Sequence, residues 1–221
     1  MKHKGFFITL EGNEGSGKGT LIRDLSNWLE SKKYNVFLTR EPGGTKIGEK
    51  IRSILVDKKN GEMHPMTELL LYIANRNQNI NEYVKPKIGK GCIVLSDRCL
   101  DSSVAYQGAG RQIDLKIVHE LNDIAIGEYL PDLTIILLVD PKTGLLRKVK
   151  QQTSEASIGD LDRIEEEKLE FHTRLYEQYK KLSKTHKRFC LIDTTTITPA
   201  EVLEKVKNLF SKKVFPKINI I

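Results

Sequence analysis

What this 221-residue chain has little of narrows its class first. No stretch comes near the roughly 18 consecutive apolar residues that a membrane-crossing helix needs. The longest apolar run, Leu133 to Val139, has the length of a strand and is interrupted by Thr134. Cysteine is scarce, at Cys92, Cys99 and Cys190 only; none forms a Cys-x-x-Cys pair, and the odd count argues against a disulfide framework or a zinc site. A reducing, cytoplasmic setting is expected. The start, Met1-Lys2-His3-Lys4-Gly5-Phe6, carries basic residues but no long apolar stretch and no small-residue cleavage site, so no signal peptide is expected. Internal repeats and low-complexity segments are absent. The net charge is +7, yet Lys and Arg are spread along the chain without a basic block interleaved with aromatics. That distribution suits a solvated surface plus a phosphate-holding cluster rather than a nucleic-acid groove. Neither nucleic acid nor a membrane is expected as a partner.

What is present is ordinary globular material, 39% apolar and 29% charged, long enough for one domain with a sizeable core. Five short apolar runs stand out: Phe6–Glu11, Tyr34–Thr39, Cys92–Ser96, Leu133–Val139 and Phe189–Asp193. Most are continuous rather than alternating, as parallel strands covered on both faces should be. Helical spacing lies between them: Leu21, Leu25, Trp28 and Leu29; then Ile47, Ile51, Ile54 and Leu55; then Met66, Leu69, Leu70 and Ile73. Two longer patterns cover Ile113–Tyr129 and Glu165–Lys184, and Pro199 falls where the first turn of a last helix begins. The alternation predicts an α/β chain, a three-layer, doubly wound sandwich around a five-stranded parallel sheet, with residues 1–221 as a single domain. Ligands of such sheets bind beyond the carboxyl ends of the strands.

The first run ends in Gly12-Asn13-Glu14-Gly15-Ser16-Gly17-Lys18-Gly19-Thr20. This is Gly-x-x-x-x-Gly-Lys spacing between a strand and a helix, the context that makes a phosphate-binding P-loop. Its glycines let backbone N–H groups face phosphate oxygens, Lys18 adds a point charge, and the helix N-terminus adds its dipole. The expected ligand is ATP, as phosphoryl donor. A Ser or Thr usually follows the lysine and holds magnesium. Gly19 stands there instead, so either Thr20 takes the hydroxyl role or water completes the metal shell.

Further blocks follow the other runs. They are Thr39-Arg40-Glu41-Pro42-Gly43-Gly44-Thr45, then Asp97-Arg98 with Ser102-Ser103-Val104-Ala105-Tyr106-Gln107-Gly108, then Asp162-Arg163-Ile164-Glu165. In order and spacing, from about residue 6 to residue 176, they resemble bacterial thymidylate kinases of the P-loop nucleoside monophosphate kinase superfamily. The resemblance implies transfer of a phosphoryl group from ATP to dTMP with Mg2+, a step toward dTTP, and a homodimer.

Tyr72 and Arg76, four apart, share a helix face. An aromatic ring beside a guanidinium can stack on a base and donate to its carbonyl; an amphipathic core helix would show the same spacing. The resemblance favours the base. Ser103, Tyr106 and Gln107 share a face at spacings of three and four, and the amide of Gln107 suits a pyrimidine edge. By resemblance Ser103 and Gln107 contact the base and Tyr106 lies under the sugar. Arg98 can grip a monophosphate bidentately or form a surface ion pair. The resemblance makes it, with Arg52, the clamp on the acceptor phosphate, places Asp97 near the metal and the reacting phosphates, and gives Glu14 to the sugar 3′-hydroxyl. Glu41 is a further candidate for the metal or its water shell.

The segment 151–163, poor in apolar residues, reads as a mobile lid; Arg163 can form a surface pair with Asp162 in a solvated loop, and the resemblance makes it the arginine that closes over the phosphates. Lys18, Arg98, Arg163 and Asp97 are therefore the catalytic candidates. No general base is needed, because the attacking phosphate oxygen has no proton to lose at neutral pH. Two rivals stand beside this reading: another nucleoside monophosphate kinase, and a nucleotide-binding switch ATPase.

Overall fold

The computed structural model describes residues 5–153 and 163–217. Its centre is β1 (Phe6–Gly12), buried along its whole length. Both neighbours, β3 (Ile93–Asp97) and β4 (Leu133–Leu138), run parallel to it. With β2 (Val36–Arg40) and β5 (Phe189–Asp193) on the edges, the sheet order is β2-β3-β1-β4-β5, all parallel. This is the expected doubly wound sheet. Because the order reverses on either side of β1, a crevice opens beyond its carboxyl end.

Both faces of the sheet are covered, which explains why the strands read as continuous apolar runs. Phe6, Ile8 and Leu10 point to one side. There α1 (Lys18–Ser31) contributes Leu21, Leu25 and Leu29, and α9 (Pro199–Lys213) contributes Val202, Val206 and Phe210. Each fully buried aliphatic side chain contributes about 1.5–3 kcal/mol. The start of α9 is fixed by a capping box between Thr198 and Glu201 with Pro199 in the first turn, as its sequence suggested. On the other side Phe7 and Val94 pack beneath α4 (Lys85–Gly89) and the turn before it, Ile80–Val84. Ile136 and Leu138 lie beneath α3 (Pro65–Asn79), α6 (Leu115–Ile126) and α8 (Leu169–Leu182). The helices α2 (Lys46–Val56) and α7 (Pro141–Thr153) complete the layers. Of the expected lid, residues 154–162 lie outside the described residues. No described helix is long and apolar enough to cross a membrane.

One local detail differs from simple helical spacing. After β3 the chain forms only a single α-turn, α5 (Leu100–Ser103), and then winds as a π-helix over Val104–Gly110. Arg111 N–H donates to the carbonyl of Tyr106 at 2.9 Å, five residues back. The wider turn changes which way side chains point, and such turns are frequent at functional sites.

Candidate active site

The strand ends converge on one cleft of about 760 Å³. Nine basic and four acidic side chains line it, so its field favours a polyanion. Its floor is the loop between β1 and α1. Gly12 adopts φ 137°, and a Cβ there would stand 1.8 Å from the carbonyl oxygen of Leu137, so only glycine lets the two strands approach. Gly17 (φ 94°) opens α1 with nothing within 4 Å of where its Cβ would be. Asn13 straps the loop to β4, donating to the Val139 carbonyl at 2.7 Å and accepting its N–H at 3.1 Å. The Lys18 ammonium folds back into this cradle, donating to the carbonyls of Gly12 (3.1 Å) and Asn13 (2.9 Å) and to Ser16 Oγ (3.3 Å). Burial, with the like charge of Arg98, depresses its pKa to about 8 despite Glu14 and Asp97 nearby.

Beside the loop, Arg98 holds a left-handed backbone (φ 72°), sparsely allowed for a residue with a Cβ. Its guanidinium reaches across to the P-loop, donating to Gly12 O at 3.0 Å and to Glu14 Oε1 at 2.6 Å. It lies 4.7 Å from the centre of the Tyr106 ring. Tyr106 also donates its hydroxyl to Glu14 Oε1, at 2.6 Å. Burial would raise the carboxyl of Glu14, but Arg98 and Lys18 outweigh it and hold the pKa at about 2. Glu14, inside the phosphate loop, is therefore tied to residues that follow β3.

Farther along the cleft, Arg76 is 1% exposed, with four of the five N–H donors of a guanidinium engaged and one at Nη2 left over. It donates to Glu41 Oε2 (2.9 Å), Ser103 Oγ (3.1 Å), Asn122 Oδ1 (2.5 Å) and the carbonyl of Cys99 (3.0 Å). A buried Arg–Glu pair is costly to break, because the survivor is left charged and dry. Tyr72, Gln107 and Arg52 also line the cleft, and Arg52 donates to Pro42 O at 3.0 Å. Asp97 lines it too, and its Oδ1 is buried with no hydrogen-bond partner among the described residues.

The sequence-predicted residues thus come together with two exceptions. Ser103, directed by the wide turn after α5, is fully buried and faces Arg76 rather than the cleft. Arg163 lines a separate cavity of about 350 Å³. There its Nε donates to Leu55 O at 2.9 Å and its Nη2 pairs with Glu68 at 2.6 Å. Closing over the phosphates would require breaking both contacts. Of the metal candidates, Thr20 and Asp97 line the cleft, while Glu41 has one oxygen on Arg76 and the other 3.4 Å from the Asn79 amide.

Sequence reasoning missed several residues. Arg147 and Lys148 line the cleft, and Arg147 reaches Gly15 O (3.4 Å) and the carbonyls of Thr194 and Thr195 (3.0 Å each). Glu11 ends the apolar run of β1 in a carboxylate, a signal that was visible. It accepts from Cys99 N (2.8 Å), Ser102 N (3.3 Å), Ser102 Oγ (2.6 Å) and Tyr179 OH (2.8 Å), pinning the loop that carries Arg98. Burial and the nearby charge of Asp101 push Glu11 up to about 7, against Arg98 and the hydroxyls.

Known proteins are similar to this one in sequence and fold across nearly the whole chain. The profile of the family described as Thymidylate kinase matches residues 10–206. Thymidylate kinase of Lactobacillus delbrueckii is 42% identical over 97% of this chain and 99% of its own. That of Protochlamydia amoebophila is 43% identical over 92% of this chain and 91% of its own. The solved thymidylate kinase of Ehrlichia chaffeensis superposes with a TM-score of 0.74 at 33% identity, covering 93% of this chain and 98% of that one. With likeness this extensive in both sequence and fold, the chain belongs to the thymidylate kinase family.

Proposed function

We propose that this enzyme phosphorylates dTMP to dTDP with ATP. The observation that carries the reading is that the phosphate loop and the side chains of Tyr72, Arg76 and Gln107, whose chemistry suits a base, line one cleft. A donor phosphate and an acceptor nucleotide are thereby aimed at each other. Phosphoryl transfer asks little covalent chemistry of the protein; alignment and positive charge lower the barrier.

In our reading residues 12–20 receive the phosphates of ATP, and Lys18 exchanges its carbonyl partners for phosphate oxygens. Arg98 and Arg52 grip the acceptor phosphate. Tyr72 stacks on the base, Arg76 donates to its carbonyl, and Gln107 meets the adjoining edge. Tyr106 lies under the sugar and Glu14 holds the 3′-hydroxyl. Ser103 acts through Arg76, and Glu41 serves as the counter-ion of Arg76 rather than as a metal ligand.

The unpartnered oxygen of Asp97, in the cleft that Thr20 also lines, fits a magnesium ion that is otherwise ligated by phosphate and water. Magnesium would spread the charge that builds on the transferring group. Positive charge from the protein comes from Lys18 and Arg98, with Arg147 and Lys148 alongside; Arg163 would join only after leaving Glu68.

We further propose a cytoplasmic homodimer. Ile47 and Ile54 of α2, Leu70 of α3 and Ile124 of α6 remain exposed on neighbouring helices, which a second copy would cover. Analytical ultracentrifugation at micromolar concentration tests this, and a monomer would remove it.

ADP release should depend strictly on dTMP. ADP formed without an acceptor and stimulated by nucleic acid would instead favour a switch ATPase.

A further inference from the structure

Glu68 belongs to none of the roles above, yet it is fully buried and touches Gln107. It sits in the first turn of α3, two turns before Arg76, and does not line the cleft. Its Oε1 accepts from Gln107 Nε2 at 2.8 Å. Arg111 binds both of its oxygens, at 3.1 to 3.2 Å, and Arg163 pairs with Oε2 at 2.6 Å. Burial works against the charge of Glu68, but the bonds from Arg111 and Gln107 hold its pKa below the ordinary value.

A carboxylate only accepts hydrogen bonds, so the amide group that faces it must be the NH2. The orientation of Gln107 is therefore dictated by chemistry: Nε2 points to Glu68 and Oε1 points away. Gln107 is 1% exposed and lines the cleft, and its Oε1 accepts from no described residue. We propose that Glu68 is the positioning residue that fixes Gln107 carbonyl-outward, so that the cleft presents an acceptor beside the donors of Arg76 and selects a pyrimidine imide over cytosine.

The complementarity can be read from the bases. Thymine and uracil offer a C4 carbonyl that accepts and an N3–H that donates. Cytosine offers an amine that donates and a bare N3 that accepts. Against Arg76 and a carbonyl-outward Gln107, cytosine mismatches twice. A freely rotating Gln107 would present its NH2 to N3 of cytosine and remove one mismatch. A polar group built to meet a specific partner discriminates strongly, because the wrong ligand leaves it buried and unpaired.

This inference rests on the base site proposed above, so turnover of dTMP by the wild-type chain is measured first; its absence removes the functional reading itself. The test is then Glu68→Gln, in which residue 68 can offer either an oxygen or an NH2 and no longer dictates the flip. We expect the ratio of kcat/KM for dTMP over dCMP to fall by about tenfold or more, through the KM of dTMP, with the KM of ATP unchanged. An equal loss for both nucleotides, or an unchanged ratio, would mean that Glu68 is only a structural counter-ion for Arg111 and Arg163, and overturns the proposal. A second measurement needs no variant and covers the case in which Glu68→Gln fails to fold. The wild-type enzyme should turn over the N3-methyl analogue of dTMP at least about tenfold more poorly than dTMP, since the analogue lacks the N–H that Oε1 accepts. Comparable turnover of the two overturns the proposal equally.

Discussion

The two ends of the cleft are built differently. The end we assign to the donor is a short run of backbone, residues 12–20, whose shape follows from glycine torsions and one strap from Asn13. Its cation, Lys18, rests on neutral carbonyls that phosphate can replace. The end we assign to the acceptor is a set of side chains from distant segments, locked by buried charge. Arg76 joins Glu41, Ser103, Asn122 and Cys99, and Arg98 joins Glu14. A phosphate is recognised by charge and N–H groups, which a local loop supplies. A base is recognised by the placement of donors and acceptors, which requires packing from several elements.

Substitutions should break the two ends in different ways. The largest effect belongs to Lys18→Ala, which should lower kcat by about a hundred- to a thousandfold or more while circular dichroism and thermal melting stay close to wild type. A collapse of the fold would show that the donor end is not the self-contained loop described. Next is Arg76→Ala. It should raise the KM of dTMP well above that of the parent with the KM of ATP unmoved, and it should also cost about 3–5 kcal/mol of stability, because Glu41 is left buried and unpaired. Chemical denaturation measures the second effect, and an unchanged KM for dTMP removes Arg76 from the base site.

The same contrast should appear with pH. Lys18 is charged below its pKa of about 8 and loses its proton above it, so kcat/KM for ATP should fall about tenfold per pH unit above that value. The acceptor end should show no such limb, since Arg76 is held above its ordinary value by Glu41 against the cost of burial, and Glu14, at about 2, stays ionised. A matching alkaline fall in dTMP binding would contradict the division. The smallest effect is expected from Gly19→Ala. Gly19 lies in the first turn of α1 with nothing within 4 Å of its would-be Cβ. Alanine there should add up to about 1 kcal/mol, and differential scanning calorimetry should find Tm higher by about 2–4 °C. A lowered Tm would mean that the loop needs glycine at this position.

How far the sequence could be read follows the same line. The five strands and the phosphate loop were legible because each is continuous in the chain and its signal is local. The spacing of Tyr72 and Arg76 marked them as neighbours, but nothing in that spacing reveals that Arg76 reaches Asn122, 46 residues on. Ser103 was misdirected for a physical reason: a π-turn follows it, and three-and-four spacing does not hold there. Glu68 carries no motif, so its importance emerges only when Gln107, Arg111 and Arg163 are seen around it.

The most direct test of the acceptor assignment is ADP release in a coupled assay with ATP and magnesium against dTMP, dUMP, CMP and AMP in parallel. We expect dTMP to give the highest kcat/KM. Faster turnover of AMP or CMP would contradict the base site built on Tyr72, Arg76 and Gln107 and leave only the donor end standing.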